Sequence, residues 1–174
     1  MAALAVIGER GIDQVTVEGL ARDLGVTKGS FYWHFTDRAA LLAAAFQLWE
    51  ERATVAIIDR LDRIADPRER LLALLTASFA DVENGPLDAA LVARADDPVV
   101  GPVVRRVTEQ RLVFLVTLLR EAGLPPATAR MRARQAYSTY VGHFHVRRAL
   151  TGDRDLDGPS PAYLRQLVAT LTAA

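Results

Sequence analysis

Apolar residues recur at helical spacing along much of the chain, and Pro, Gly, Asp and Ser mark the breaks between periodic segments. Between 37 and 64, Leu41, Leu42, Ala45, Phe46, Trp49, Ala53, Ala56 and Ile57 keep to one broad face. That spacing predicts a long amphipathic helix capped by Thr36 or Asp37. Proline suits the first turn of a helix, where its missing N–H has no partner to lose. Asp66-Pro67-Arg68-Glu69 therefore predicts an N-cap and a helix running to about Asn84, with Gly85 as its stop. Pro86 opens a short helix ending near Ala95, and Asp97-Pro98 a longer one to about Glu121, closed by Gly123. Pro125-Pro126 starts another that reaches Leu150, and Ser160-Pro161 starts the last. Three short helices precede these, at about 2–10, 17–24 and 28–34. The pattern predicts an all-α chain of about nine helices. The segment 111–119, RLVFLVTLL, is apolar nearly all round and is expected at the centre of the body.

Composition agrees with that class. Of the 174 residues, 51% are hydrophobic and only 7% aromatic, with Ala, Leu and Val dominant. Those proportions favour helices over sheets. The chain has no cysteine, which excludes disulfides and thiolate chemistry and fits a cytoplasmic protein. Charged residues interrupt every apolar run, so no membrane span is expected, and the N-terminus lacks the basic region of a signal peptide.

Charge changes the picture. The net charge is zero, and in the first fifty residues Arg10, Arg22, Lys28 and Arg38 stand against Glu9, Asp13, Glu18, Asp23, Asp37 and Glu50. Charge alone argues mildly against a nucleic-acid partner, so any such function must come from a motif.

The segment from Thr16 to Thr36 meets the requirements of a helix-turn-helix. Ala21 is small where two helices must cross, and Gly25 can end a helix in the left-handed conformation. Leu20, Leu24, Val26, Phe31 and Phe35 are expected to form its small core. Thr27 is placed to cap a recognition helix whose outward residues are Lys28, Gly29, Ser30, Tyr32, Trp33 and His34. Four consecutive rings, Phe31 to His34, cannot all face inward on one helix. Small residues at its start allow the helix N-terminus to enter a major groove. Lys28, the only lysine, with Tyr32 and His34, can meet phosphates, while Gly29, Ser30 and Trp33 are placed for base edges.

Residues 4–46 resemble the N-terminal domain of the TetR (tetracycline-repressor-like) family. The resemblance rests on Gly11, Thr16-Val17, Ala21, Gly25-Val26, Lys28-Gly29, Phe31-Tyr32, His34-Phe35 and Leu41-Leu42. It implies a DNA-binding head over 1–46, continuous with the helix at 37–64, and a ligand-binding and dimerisation body over 47–174. It also implies a homodimer on a near-palindromic operator of double-stranded DNA, with half-sites about 34 Å apart or somewhat more. Most relatives repress, and a small-molecule effector releases them; an activator or a ligand-independent regulator of the same fold is the alternative. Two departures stand out. The basic stretch that relatives carry before the first helix is not seen before Met1, and Arg38 occupies a position usually held by Lys. Arg38 keeps the charge and is expected to grip phosphate bidentately.

In the body, the resemblance places a cavity among the helices of 37–150, with Trp49, Phe79, Phe114, Tyr137, Tyr140, His143 and Phe144 as candidate lining. Buried charge looks scarce, which points to a mostly apolar effector with one or two polar groups. Tyr140, Gly142, Tyr163, Leu164, Leu167, Val168 and Leu171 are the candidate dimer contacts, Gly142 allowing close helix approach. No cofactor is expected, and no metal. His143 and His145 lie on different helical faces, and Asp153-x-Asp155-x-Asp157-Gly158 begins like a calcium loop but has Leu164 where the bidentate Glu belongs. An enzyme using His143 with Tyr137 or Tyr140 as acid–base groups leaves the helix-turn-helix unexplained, so no catalytic residue is assigned.

Overall fold

The computed structural model describes residues 1–81, 84–150 and 158–173, and among these every regular element is helical. Nine α-helices are described: α1 (Ala2–Arg10), α2 (Val17–Asp23), α3 (Lys28–His34), α4 (38–61), α5 (Pro67–Ala80), α6 (Asn84–Val92), α7 (Gly101–Glu121), α8 (Pro126–Ala149) and α9 (Pro161–Leu171). A single 3-10 turn, Ile12–Gln14, joins α1 to α2. The calcium-like loop from Asp153 to Asp157 lies outside the described residues.

Local capping starts most of these helices. Thr27 Oγ1 accepts from Ser30 N–H, Asp37 from Ala40 N–H, Asp66 from Arg68 and Glu69 N–H, and Ser160 from Tyr163 N–H. Each bond satisfies a donor that the helix itself leaves unpaired.

Three expectations change. Helix α5 ends at Ala80, and Asp81 then caps Asn84 at 2.9 Å, so Gly85 lies inside α6 and is no stop. Its lack of a side chain has a tertiary cause: a Cβ there would sit 2.0 Å from Cζ of Phe144. Helix α7 starts at Gly101, because Asp97 accepts from Val99 and Val100 N–H and closes a turn instead of capping a helix at Pro98. A Cβ on Gly101 would meet the Ala95 carbonyl at 2.3 Å, which requires glycine where the chain doubles back. Helix α4 is continuous but not uniformly α-helical, since Arg38–Glu50 and Ala56–Leu61 flank a π-helical turn, Glu51–Val55.

Two apolar clusters fill the interior. The first gathers α1 to α4, from Leu4 and Ile7 to Phe46 and Trp49, and takes in Leu87 and Leu91 of α6 with Val100, Val104 and Val107. The second joins α5, the latter half of α7, α8 and α9. The head therefore shares its core with α6 and α7, and no break in packing falls at residue 46. The apolar segment of α7 is not buried all round, for Val113 is 66% exposed, and Arg111 at its start is sequestered in an ion pair.

The candidate dimer residues divide. Tyr140, Leu164, Val168 and Leu171 are buried in their own subunit's second cluster, so they offer no surface to a partner. Leu167 packs partly against the same cluster. Tyr163 is exposed, and Gly142 faces open space, with nothing within 4 Å of a Cβ built on it.

Candidate nucleic-acid interface

The head is organised so that its second and third helices leave a bare outer face. Gly25 takes φ 65° between them, a conformation that other residues adopt at a cost. Thr16 caps α2 through Gly19 N–H at 3.0 Å, and Thr27 caps α3 at 3.1 Å while its hydroxyl also lies 3.2 Å from Ser30 Oγ. Phe31 is buried in the first cluster, with Phe35 packed against it, and this sets the rotation of α3. Leu24 and Val26, expected in the same small core, are exposed instead, because the turn at Gly25 carries the chain away from it.

That rotation puts Tyr32, Trp33 and His34 outside. Trp33 is 84% exposed, and its only ring neighbour among the described contacts is His34, edge-on at 5.1 Å. A Cβ on Gly29 would meet nothing closer than Thr27 Oγ1 at 3.6 Å. The fold thus has no internal need for glycine at position 29.

The cations of the head are partly engaged. Lys28 Nζ pairs with Glu18 at 2.8 Å, which holds the Glu18 carboxyl below its usual range and raises Lys28. Arg38 needs correction. Its Nε donates to the Val15 carbonyl at 2.6 Å and its Nη2 to the Ile12 carbonyl at 2.7 Å. The edge that would grip phosphate side-on therefore fastens the 3-10 turn to α4, and only the tip of the guanidinium remains for an outside partner. Two of the acids in the first fifty residues are paired with arginines of the body: Asp13 with Arg94, and Glu50 with Arg106 at 2.5 Å. The acidic balance in the sequence is thus partly neutralised by arginines distant in the chain.

Below the head lies a narrow cavity. Phe114, Tyr137 and Tyr140 line it; Trp49, Phe79, His143 and Phe144 do not. Phe79, His143 and Phe144 instead form an edge-on ring cluster beside it, and Trp49 lies behind the wall. His143 is therefore not brought into the cavity with Tyr137 and Tyr140, which removes the geometric basis of an acid–base pair.

Buried charge is scarce among the described residues, as expected, but it lies at the cavity wall. Asp88, 2% exposed, accepts from Arg111 Nη1, Tyr140 hydroxyl and Trp49 Nε1, each at 2.6 Å. Burial pulls the Arg111 guanidinium down, but Asp88 beside it more than reverses this. Burial and then Asp88 push the Tyr140 hydroxyl far up, so it stays a donor. Sequence reasoning missed Asp88 and Arg111 because they are 23 residues apart on different helices. No group of three or more metal-ligating side chains forms a site among the described residues.

The structure thus sets a helix-turn-helix with an exposed third helix on a helical body that holds a cavity. Residues 1–52 match bacterial regulatory proteins of the tetR family. The chain is 32% identical over 82 residues to the transcriptional repressor KstR2 of Mycobacterium tuberculosis, which covers 47% of this chain and 41% of that protein. The chain thus spans about two fifths of the length of that relative. It is 28% identical over 164 residues to the transcriptional activator FasR of Mycolicibacterium smegmatis, covering 92% of this chain and 74% of the relative. Its fold is also that of a TetR transcriptional regulator from Legionella pneumophila, with a TM-score of 0.82 at 16% identity, covering 97% and 92% of the two chains.

Proposed function

We propose that this protein is a cytoplasmic, dimeric repressor that binds a near-palindromic operator through α3 and leaves it when a small molecule fills the body cavity. The observation that carries the reading is the outer face of α3, where a half-exposed Tyr32, a Trp33 at 84% exposure and a bare Gly29 share one short helix. Lys28, Tyr32, His34 and the free tip of Arg38 supply phosphate contacts, and Thr16 and Thr27 present hydroxyls beside them. Gly29, Ser30 and Trp33 meet base edges and thymine methyls. The dimer doubles a head whose own charge is modest, with Gly142 and Tyr163 on the joining surface.

The effector is mostly apolar. Ile57, Ile58, Leu74 and Phe114 supply the greasy wall, while Ser78, Asp81, Asn84 and Tyr137 supply polar groups at the cavity. Activation in place of repression is the second reading, favoured by the long match to a relative named as an activator.

The test is a mobility shift with DNA from upstream of the protein's own gene. Wild-type protein shifts it, and Lys28→Ala with Tyr32→Ala abolishes the shift while leaving the melting temperature unchanged. Retained binding by that double variant overturns the site. Apolar metabolites that raise the melting temperature identify the effector class, because a ligand selective for the native state stabilises it.

A further inference from the structure

The middle of α4 holds one residue more than an α-helix of the same length, for Ala56 N–H donates to the Glu51 carbonyl five positions back. Single π turns inside α-helices concentrate at functional sites. Here a side chain from another helix occupies the turn. Arg111 of α7 donates through Nη2 to the Ala53 carbonyl at 3.1 Å and through Nε to the Thr54 hydroxyl at 2.9 Å. Its Nη1 holds Asp88 of α6 at 2.6 Å. Ala53, Thr54, Asp88 and Arg111 all line the cavity. The two sides of the turn face different tasks: before it, Phe46 and Trp49 lie in the head's core, and after it Ile57 and Ile58 line the cavity.

We propose that Arg111 holds the π turn in place and that α4 is a register hinge, released when the polar head of an effector takes over Asp88 or Arg111. Ala53 and Thr54 then lose their donor, the turn closes into α-helix, and the surplus residue passes into the half of α4 that carries the head. A one-residue change of register rotates a helix by about 100° and moves it about 1.5 Å along its axis. The head shares its core with that half of α4 and also with α6 and α7, so a change of register there shifts the head against the body. The hinge favours an effector with an apolar body and one hydrogen-bonding or ionic head, since a wholly apolar molecule leaves every bond of the pair intact. Arg111 is on this account a positioning residue that touches no DNA. The proposal rests on the effector and operator reading above.

The experiment uses the full chain, which has no natural cysteine. Spin labels on Arg22→Cys in α2 and Arg130→Cys in α8 report the head-to-body distance, with labelled chains diluted into unlabelled ones. Asp88→Asn with Arg111→Met removes both charges and so leaves no uncompensated ion in the interior. It is expected to shift the distance distribution and to weaken binding to the upstream DNA by about tenfold. Deleting Val55 in that variant removes the surplus residue and is expected to restore both. An unchanged distance, or a shift that the deletion fails to reverse, overturns the hinge. Should the double variant lose its helical signal, Arg111→Lys is measured in the same way with the same two outcomes, because it keeps the charge beside Asp88 and loses the fork to Ala53 and Thr54. The label distance needs neither DNA nor effector, so a wild-type protein that ignores its upstream DNA defeats the operator reading and leaves the hinge test standing.

Discussion

The head and the body use similar side chains in opposite ways. On α3, tyrosine, tryptophan and lysine stand in solvent, the lysine paired only with another exposed side chain. At the cavity wall, tyrosine, tryptophan and arginine converge on one buried carboxylate, and each donates to it. A set of rings and donors left in solvent can exchange its water for an outside partner at little cost to the fold. A satisfied buried set fixes the relation of four helices, because moving any one of them strands a polar group away from water. Residue type alone does not separate the two roles; the satisfaction of each group does.

The contrast breaks most sharply at Asp88. Asp88→Ala leaves Arg111 buried without its counter-charge, and removing one member of such a pair costs about 3–5 kcal/mol. Trp33→Ala in the head is expected to alter stability by no more than about 0.5 kcal/mol, as for other surface sites away from special features. Urea denaturation of the two variants measures both. Equal losses in the two would mean that Trp33 is a packing residue, and would remove the distinction between the regions.

Gly85→Ala comes next. The Phe144 ring lies where the new methyl must go, and Phe144 is itself packed in the second cluster, so the ring cannot simply swing into solvent. Overpacking of this kind costs about 1–3 kcal/mol. Gly29→Ala is the matched control in the head, where a Cβ meets only ordinary contact; its stability is expected to hold while DNA binding falls. Thermal melts beside mobility shifts read the pair. A Gly29→Ala variant that binds DNA normally would remove the argument that its bare backbone serves an outside partner.

These cases show where the sequence was legible. Helix starts at Thr27, Asp37, Asp66 and Ser160 could be read because a cap and its N–H donor lie two or three residues apart. The helix-turn-helix was legible for the same reason, its glycine, caps and ring spacing all being local. Gly85 and Gly101 were misread or passed over because their need for glycine comes from Phe144 and from the Ala95 carbonyl. The cavity's polar floor was invisible because Asp88 meets Tyr140 across 52 residues. Arg38 was the reverse case: a bidentate grip on phosphate was expected of a side chain whose best edge is held by the Val15 and Ile12 carbonyls.

A smaller effect separates local capping from tertiary packing within the head. Thr27→Ala removes the acceptor of Ser30 N–H, and such losses cost about 1 kcal/mol. Thr27→Ser keeps the oxygen and is expected to restore most of it. If Ser and Ala destabilise alike, the methyl group and not the cap is what Thr27 supplies, and α3 is held by Phe31 alone.

The smallest effect tests the body through pH. His143 is edge-on to Phe79 at 5.1 Å and to Phe144 at 5.0 Å, and its Nε2 is buried without a hydrogen-bond partner. Burial, aided by Arg147, lowers its pKa below that of an unfolded histidine, near 6.5. The folded state therefore prefers the neutral ring. Its contribution is complete above the unfolded pKa and declines as pH falls through that value, because the unfolded chain then binds the proton more readily. The melting temperature is expected to drop modestly between pH 7.5 and 5.5, and His143→Phe, which keeps the ring packing, is expected to flatten that drop. A drop of full size in His143→Phe would show that the buried ring cluster does not set the pH response.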